Sequence, residues 1–448
     1  MLNDILAFVP LLVLMVLALA TRKMAQSMIA AVVVAMAILY KQNILTGMIN
    51  EIYGQLSNDS LQFVFIILFG FGAMTKLFQD SGALLGFGDL LSKVANGKKK
   101  PLILGWLISL TMFIDDYLCV MTTTFALKEI TDRNRIPREH LAFQSNAVAA
   151  CLCVILPFSS WTAFSIGLLG DYGLGFNDYV RAIPYMFYPF IMIIIVPLIA
   201  VGVIPKLGVL KKAWRRVDEG GDTYVAEEAE ESLVSIEMDP DQQSSSAVNA
   251  IIPIAAMVAG VLIFDNDLAH GIFIGLAAQF ILYVAKRIMT VDEFFKSFFE
   301  GAKSMTTLAI IVTFGFTLTE ANKQLGFFDI LLGGVGQAVP AALLPALAFI
   351  LVGFTTFATS GCWVMQIISY PIFIPLALNG GLPVEYVIAA IMSSVTMGYC
   401  CCFYGDAVFM TSAGSGVSNL TIVKSTVPYA AIAAAVAVAG FLIIGFVG

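Results

Sequence analysis

Apolar runs long enough to cross a lipid bilayer recur along the whole chain, near residues 5–20, 26–41, 61–78, 141–168, 182–204, 248–264, 270–285, 303–320, 386–413 and 426–447. A helical span needs about 20 predominantly apolar residues, so ten spans fit. Composition leaves no other solvent for them. Of the 448 residues, 59% are hydrophobic and 12% charged, against about 25% charged in a soluble domain. Soluble globular, disordered, collagen-like and nucleic-acid-binding classes are excluded. The net charge of −7 is local in origin, because ten of the 31 acids lie between Asp218 and Asp241. Ala18-Leu19-Ala20 mimics a signal-peptidase site, but Arg22 and Lys23 follow the apolar run rather than precede it. That charge order is expected of a retained first span.

Two runs break the pattern. Residues 101–127 lie between basic loops at 93–100 and 128–138. A single crossing would leave one basic loop outside, against the positive-inside rule. A re-entrant hairpin keeps both in the cytoplasm. Residues 340–378 carry Pro340, Pro345, Pro371 and Pro375 and are too long for one span, which fits a second hairpin. Loops 42–60, 169–180, 265–269 and 379–385 then fall outside with acids and no base, and both termini come out external.

The chain also repeats itself. Phe69-Gly70-Phe71 recurs as Phe314-Gly315-Phe316, and Leu85-Gly86-Phe87-Gly88-Asp89-Leu90-Leu91 as Leu325-Gly326-Phe327-Phe328-Asp329-Ile330-Leu331. Val180–Tyr185 recurs, one residue longer, as Val423–Tyr429. The expected architecture is an all-α polytopic membrane protein made of two inverted halves, each with five spans and one re-entrant hairpin. The first half is 1–205 (hairpin 101–127) and the second 248–448 (hairpin 340–378). Residues 206–247 form an acidic, solvated cytoplasmic linker. Paired broken elements in inverted halves are the mark of secondary transporters.

An acid at the bilayer centre costs about 2.5–3.5 kcal/mol, so the few acids within spans stand out. Asp115 and Asp116 sit mid-way through the first hairpin, in Thr111-Met112-Phe113-Ile114-Asp115-Asp116-Tyr117, with Thr122, Thr123 and Thr124 on the next turns. A bound cation offsets their cost, and neighbouring carboxylates repel, so one can exchange a proton while the other stays ionised. A plain helix cap is the competing reading. Thr359 and Ser360 mark the second tip, where unwound backbone can face a cation. Two spans are interrupted, at Pro157-Phe158-Ser159-Ser160-Trp161-Thr162 and at Phe403-Tyr404-Gly405-Asp406, the latter continuing to Ser412 and Ser415. Broken helices at membrane depth line cavities or are buried in protein. Asp115, Asp116, Thr359, Ser360 and Asp406 are therefore the candidate ion and proton ligands, with the three acids holding sodium. Ser159, Ser160, Thr162, Thr122, Ser412 and Ser415 are the candidate solute contacts. Trp161 and Trp363 could wall such a site or simply pack.

The seven cysteines and two histidines show no metal-site spacing. HExxH, GxSxG and GxxxxGK[ST] are absent, as are the full GxSG and GxGD patterns of intramembrane proteases. No enzymatic activity and no cofactor are expected.

From about Phe69 to Tyr429 the chain resembles the NhaC-type sodium/proton antiporters, within a wider superfamily of inverted-repeat carriers. The best stretch is Phe113-Ile114-Asp115-Asp116-Tyr117, followed by Thr131-Asp132-Arg133-Asn134-Arg135-Ile136-Pro137-Arg138-Glu139-His140-Leu141-Ala142. The family shows a similar FIDDY and a TDRxRISREKLA-like run. Thr359-Ser360 and Gly405-Asp406 resemble its later motifs. After Asp406 the family's His, Cys, Ser, Pro and second Asp are replaced by Ala407-Val408-Phe409-Met410-Thr411-Ser412. The resemblance implies sodium and protons as partners, a plasma (cell inner) membrane location and a homodimer. It implies sodium/proton antiport, with sodium-coupled transport of a small organic solute, an amino acid or carboxylate, as the alternative.

Overall fold

The computed structural model describes residues 2–21, 23–83, 85–86, 95–226, 244–327, 330, 339–403 and 405–447. Every regular element among them is helical. The first half runs α1 (Leu2–Thr21), α2 (Met24–Tyr40), α3 (Ile44–Leu56), α4 (Asp59–Asp80), α5 (Lys100–Thr111), α6 (Asp116–Arg133), α7 (Arg138–Ile155), α8 (Ser160–Leu169), α9 (Phe176–Ala182) and α10 (Phe187–Val201). After α11 (Gly208–Asp218) come α12 (Val248–Ile263), α13 (Leu268–Ala285), α14 (Val291–Ser304), α15 (Thr306–Gln324), α16 (Leu344–Thr359), α17 (Cys362–Asn379), α18 (Val384–Cys401), α19 (Asp406–Ser415) and α20 (Asn419–Val447). Most of the expected Leu85–Leu91 and Leu325–Leu331 match, Tyr404, and the acidic part of the linker at 227–243 lie outside the described residues.

Among the described residues, eight helical stretches are long and apolar enough to cross a bilayer, and ten are if two bent pairs each count as one span. α7 and α8 are bent by 43°, and the α9 and α10 segments by 55°. The α7 break follows from local chemistry. Leu156, extended as the residue before a proline tends to be, precedes Pro157, and Ser159 then caps α8 through a 3.1 Å bond from the Thr162 N–H. α5 and α6 are separated by Met112–Asp115, and α16 and α17 by Ser360 and Gly361 only. Ser360 stands in the left-handed region at φ 58°, which ends α16. The second pair is longer than a shallow re-entrant loop needs. At 1.5 Å per residue its 16 and 18 residues make arms of about 24 and 27 Å, close to the ~30 Å hydrocarbon core.

The helices around the breaks pack on one another. α6 lies against α7 and α19, and α16 runs along α18. On another side, α4 packs against α13, α14 and α8, while α2 meets α1 and α15. The two broken helices are joined directly. Asn146 on α7 donates to the Cys400 carbonyl on α18 at 2.8 Å, and the Cys400 thiol donates back to the Asn146 carbonyl at 3.3 Å. Gly398 allows the α16–α18 approach, since a Cβ there would stand 2.5 Å from the Gly353 oxygen and 2.6 Å from the Phe357 nitrogen. Small residues permit such backbone contact inside membranes.

The linker departs from expectation in its first part. Residues 206–226 are docked rather than solvated. Leu210, Ala213, Trp214 and Val217 share one face of α11 at i, i+3, i+4 and i+7 spacing and are buried. Arg216 grips Glu139 of α7 with two bonds of 2.7 and 3.0 Å. Trp214 Nε1 donates to His140 Nδ1 at 2.9 Å, and the Lys206 ammonium sits 4.4 Å over the same indole. Thr223 donates to Asp132 at 2.7 Å. The stretch thus meets Glu139 of α7 through a base and Asp132 of α6 through a hydroxyl.

Two outcomes are expected. Gly398→Ala should destabilise the protein by about 1–3 kcal/mol through overpacking, seen as a lower unfolding temperature in detergent; an unchanged temperature contradicts the close α16–α18 contact. Arg216→Met leaves the Glu139 carboxylate buried without its partner and should cost about 3 kcal/mol, the low end for a buried pair because Arg216 is partly exposed, with Arg216→Lys losing less. Equal stability of all three proteins would show that the dock contributes nothing.

Candidate functional site

The first break places two carboxylates side by side. Asp115 is the N-cap of α6, as the competing reading allowed. Its Oδ1 accepts the N–H groups of Tyr117 (3.0 Å) and Leu118 (3.3 Å). Its Oδ2 accepts the Ser160 hydroxyl across from α8 at 3.0 Å. Capping and burial coexist here, since Asp115 is 5% exposed. Charge-assisted bonds of this kind contribute roughly 1.5–3 kcal/mol each, which offsets much of the cost of an ionised group at this depth.

Asp116 is the first residue of α6 and is 1% exposed. Its Oδ1 accepts the Trp161 indole N–H at 2.9 Å. Its Oδ2 is buried and has no hydrogen-bond partner. A buried carboxylate oxygen left without a donor is costly and rare. Trp161 is itself clamped, 5.1 Å from Trp363 on α17 and 5.4 Å from Tyr399 on α18, centroid to centroid. Phe164 closes the stack edge-on to Trp363 at 4.8 Å.

The two breaks of the first half are locked together. The Ser160 N–H donates to the Ile114 carbonyl at 2.8 Å, and the Cys153 thiol to the Phe113 carbonyl at 3.3 Å. Ser159 and Thr162 both donate to the Cys153 carbonyl, and Thr162 also to the Leu156 carbonyl at 3.1 Å. Ser159 and Thr162 thus hold the break, and of the serines Ser160 is the one that touches an acid. Thr122 donates back to the Leu118 carbonyl at 2.7 Å, which spends its proton within α6. Thr123 bonds Ser145 of α7 at 2.9 Å.

In the second half, Asp406 opens α19 and is exposed. The Tyr117 hydroxyl donates to its Oδ2 at 3.2 Å, so Tyr117 links it to the start of α6. Among the described residues, no three His, Cys, Asp or Glu side chains are arranged to hold a metal ion. Asp115, Asp116 and Asp406 therefore do not form one three-carboxylate cage: two are paired and the third stands apart, reached through Tyr117. Thr359 donates to the Thr355 carbonyl at 2.7 Å and accepts the Gly361 N–H at 3.3 Å. A Cβ on Gly405 would lie 3.0 Å from the Ser360 hydroxyl, so the second tip rests against the break that precedes Asp406. Ser412 and Ser415 are buried further along α19, and Ser415 donates to the Thr411 carbonyl at 2.6 Å.

A cavity of about 530 Å³ lies between α4 and α14 on one side and α6 and α19 on the other. Tyr117 and Asp406 line it, together with Lys76, Glu300, Gln79 and Thr75. Reading the sequence did not single out Lys76 or Glu300. Lys76 lies within an apolar span, five residues after Phe71 of the repeated Phe-Gly-Phe, and a cation at that depth was the available signal.

Comparison with known proteins follows the same lines. The sequence pattern of the Na+/H+ antiporter family matches residues 152–446, well over half of the chain. An uncharacterized protein of Haemophilus influenzae is 23% identical over 477 residues, covering 99% of this chain and 91% of its own. Two solved structures share the fold. MtrF of Neisseria gonorrhoeae superposes with a TM-score of 0.61 at 14% identity, over 90% of this chain and 83% of MtrF. The YdaH transporter of Alcanivorax borkumensis does so with a TM-score of 0.63 at 13% identity, over 90% and 88%. With its helices, its buried acids and the extent of the family match, the chain is a multi-pass membrane protein and a secondary transporter, and it belongs to the Na+/H+ antiporter family.

Proposed function

We propose that the protein exchanges sodium for protons, with Asp115 and Asp116 as the exchange site and Asp406 in support. One observation carries this reading: Asp116 Oδ2 is buried with no donor beside an acid whose own oxygens are already bonded. Asp115 already accepts two N–H groups and a hydroxyl, which leaves its oxygens less room for a further ligand. Asp116 is the group that alternates, taking either a proton or a sodium ion on its open oxygen. The driving force is adequate, since one charge moved through 100 mV yields about 2.3 kcal/mol.

The halves, 1–205 and 248–448, are in this reading inverted repeats joined by 206–247, each with five spans and one re-entrant hairpin. The order of elements supports it. A short helix before a long one, a paired unit, then a helix broken at Ser159 or at Gly405 occur as α3–α8 and again as α14–α19. Rocking of the unit around the breaks against the α4 side would alternate access. In the same reading both termini lie outside the plasma membrane and two copies associate.

A second reading is favoured by the cavity. At about 530 Å³ it falls within the range of small-molecule sites and exceeds what a sodium ion needs. In that reading sodium at the acid pair drives transport of a small organic solute. MtrF, of the same fold, is described as one of a class of antimetabolite efflux pumps.

Proteoliposomes separate the readings. Antiport requires a sodium gradient to move protons with no organic solute present, and a sodium-independent proton signal would sink it. Asp116→Asn should abolish that flux, whereas Ser160→Ala, which removes one of three bonds to Asp115, should reduce it by about tenfold. Wild-type flux in Asp116→Asn would remove the acid pair from the mechanism.

A further inference from the structure

The cavity beside Asp406 has charges of both signs on facing walls. On the α4 side, the Lys76 ammonium is bound by Asp80 at 2.8 Å and lies 3.9 Å from Glu300 of α14. On the α6–α19 side, Asp406 is reached by the Tyr117 hydroxyl. Phe409, Met121 and Met305 supply apolar surface between them. An ammonium has three donors, so Lys76 retains donors after its bond to Asp80. Asp406 keeps acceptor capacity beyond its single bond from Tyr117.

We propose that this cavity binds a small zwitterion carrying an ammonium and a carboxylate, of amino-acid size, with its carboxylate on Lys76 and its ammonium on Asp406 beside the Tyr117 ring. The inference rests on the second reading above and adds to it the site, the two poles and the residues that select them. A plain carboxylate would leave Asp406 unanswered. A plain amine would leave Lys76 unanswered. Each loss is that of a charge-assisted bond in a partly enclosed site. Tyr117 makes the bound ammonium felt at the acid pair, because the same residue follows Asp116 in α6. Sodium and solute would thereby occupy adjoining sites on one helix start.

The test uses the full-length purified protein and three matched sets of probes: L-amino acids, the amines obtained by removing their carboxyl groups, and the acids obtained by removing their amino groups. Binding is read by ligand-induced thermal shift and by calorimetry, in sodium and in its absence. The expected result is that at least one amino acid binds tighter than both of its analogues by about tenfold or more. Lys76→Met should then erase the preference of amino acid over amine without weakening the amine. Lys76→Arg, which keeps the charge, should restore it and shows that loss in the first variant is not misfolding. Equal binding of the acid analogue, or a preference that survives Lys76→Met, overturns the assignment. If no probe binds at millimolar concentration while sodium still drives proton flux, the zwitterion site and the second reading fall and the exchange reading stands. If amino acids bind with the expected selectivity but sodium drives no proton flux, the exchange reading falls alone.

Discussion

A negative charge inside a bilayer has to be answered, and the rest of this structure is arranged around how Asp115 and Asp116 are answered. The hydrocarbon offers nothing, so the partners come from the protein. Backbone N–H groups become available only where a helix starts, which is why Asp115 sits at an interruption. A helix can start at membrane depth only where neighbouring segments shield its open backbone. α7 meets this by breaking at the same level and turning Ser160 and its N–H toward the first break. One buried pair of acids therefore entails two broken helices in contact, and the reciprocal Asn146–Cys400 bonds carry the arrangement into the other half.

The two halves answer the same problem differently. The first half has a pair of acids at its paired unit and serines at its broken helix. The second has hydroxyls at its tip, Thr359 and Ser360, and a single acid, Asp406, at its broken helix. Ser360 and Gly405 lie together, so in each half a paired unit meets a break. Only the second half's acid faces open volume. Burial at one acid and exposure at another, linked by Tyr117, give the molecule a dry site and a wet site on one α6 terminus.

Much of this was legible from the residues. The apolar runs located the long helices, because chain length against bilayer thickness leaves little freedom, but α3, α9, α11 and α14 lie in stretches read as loops or linker. The breaks were legible because Pro157, Gly405 and the adjacent acids violate the local apolar pattern. What was not legible depends on contacts between distant segments. Nothing in the sequence says that Trp161 donates to Asp116 rather than merely packing, or that Thr122 turns its hydroxyl back on its own helix. Lys76 and Glu300 become neighbours only because α4 and α14 cross. The docking of α11 was a different kind of miss. Its apolar residues at 210, 213, 214 and 217 have the spacing of a buried helical face, but the surrounding Lys and Arg made the segment read as solvated.

The Trp161 indole has a consequence of its own. It bonds the acid with the open oxygen and packs against Trp363 and Tyr399, one ring tilted and one edge-on. Two of the chain's four tryptophans are thus coupled beside the acid pair proposed as the exchange site. The molecule carries a built-in optical probe there. Its intrinsic emission should follow site occupancy and the mutual position of the two halves without any attached dye.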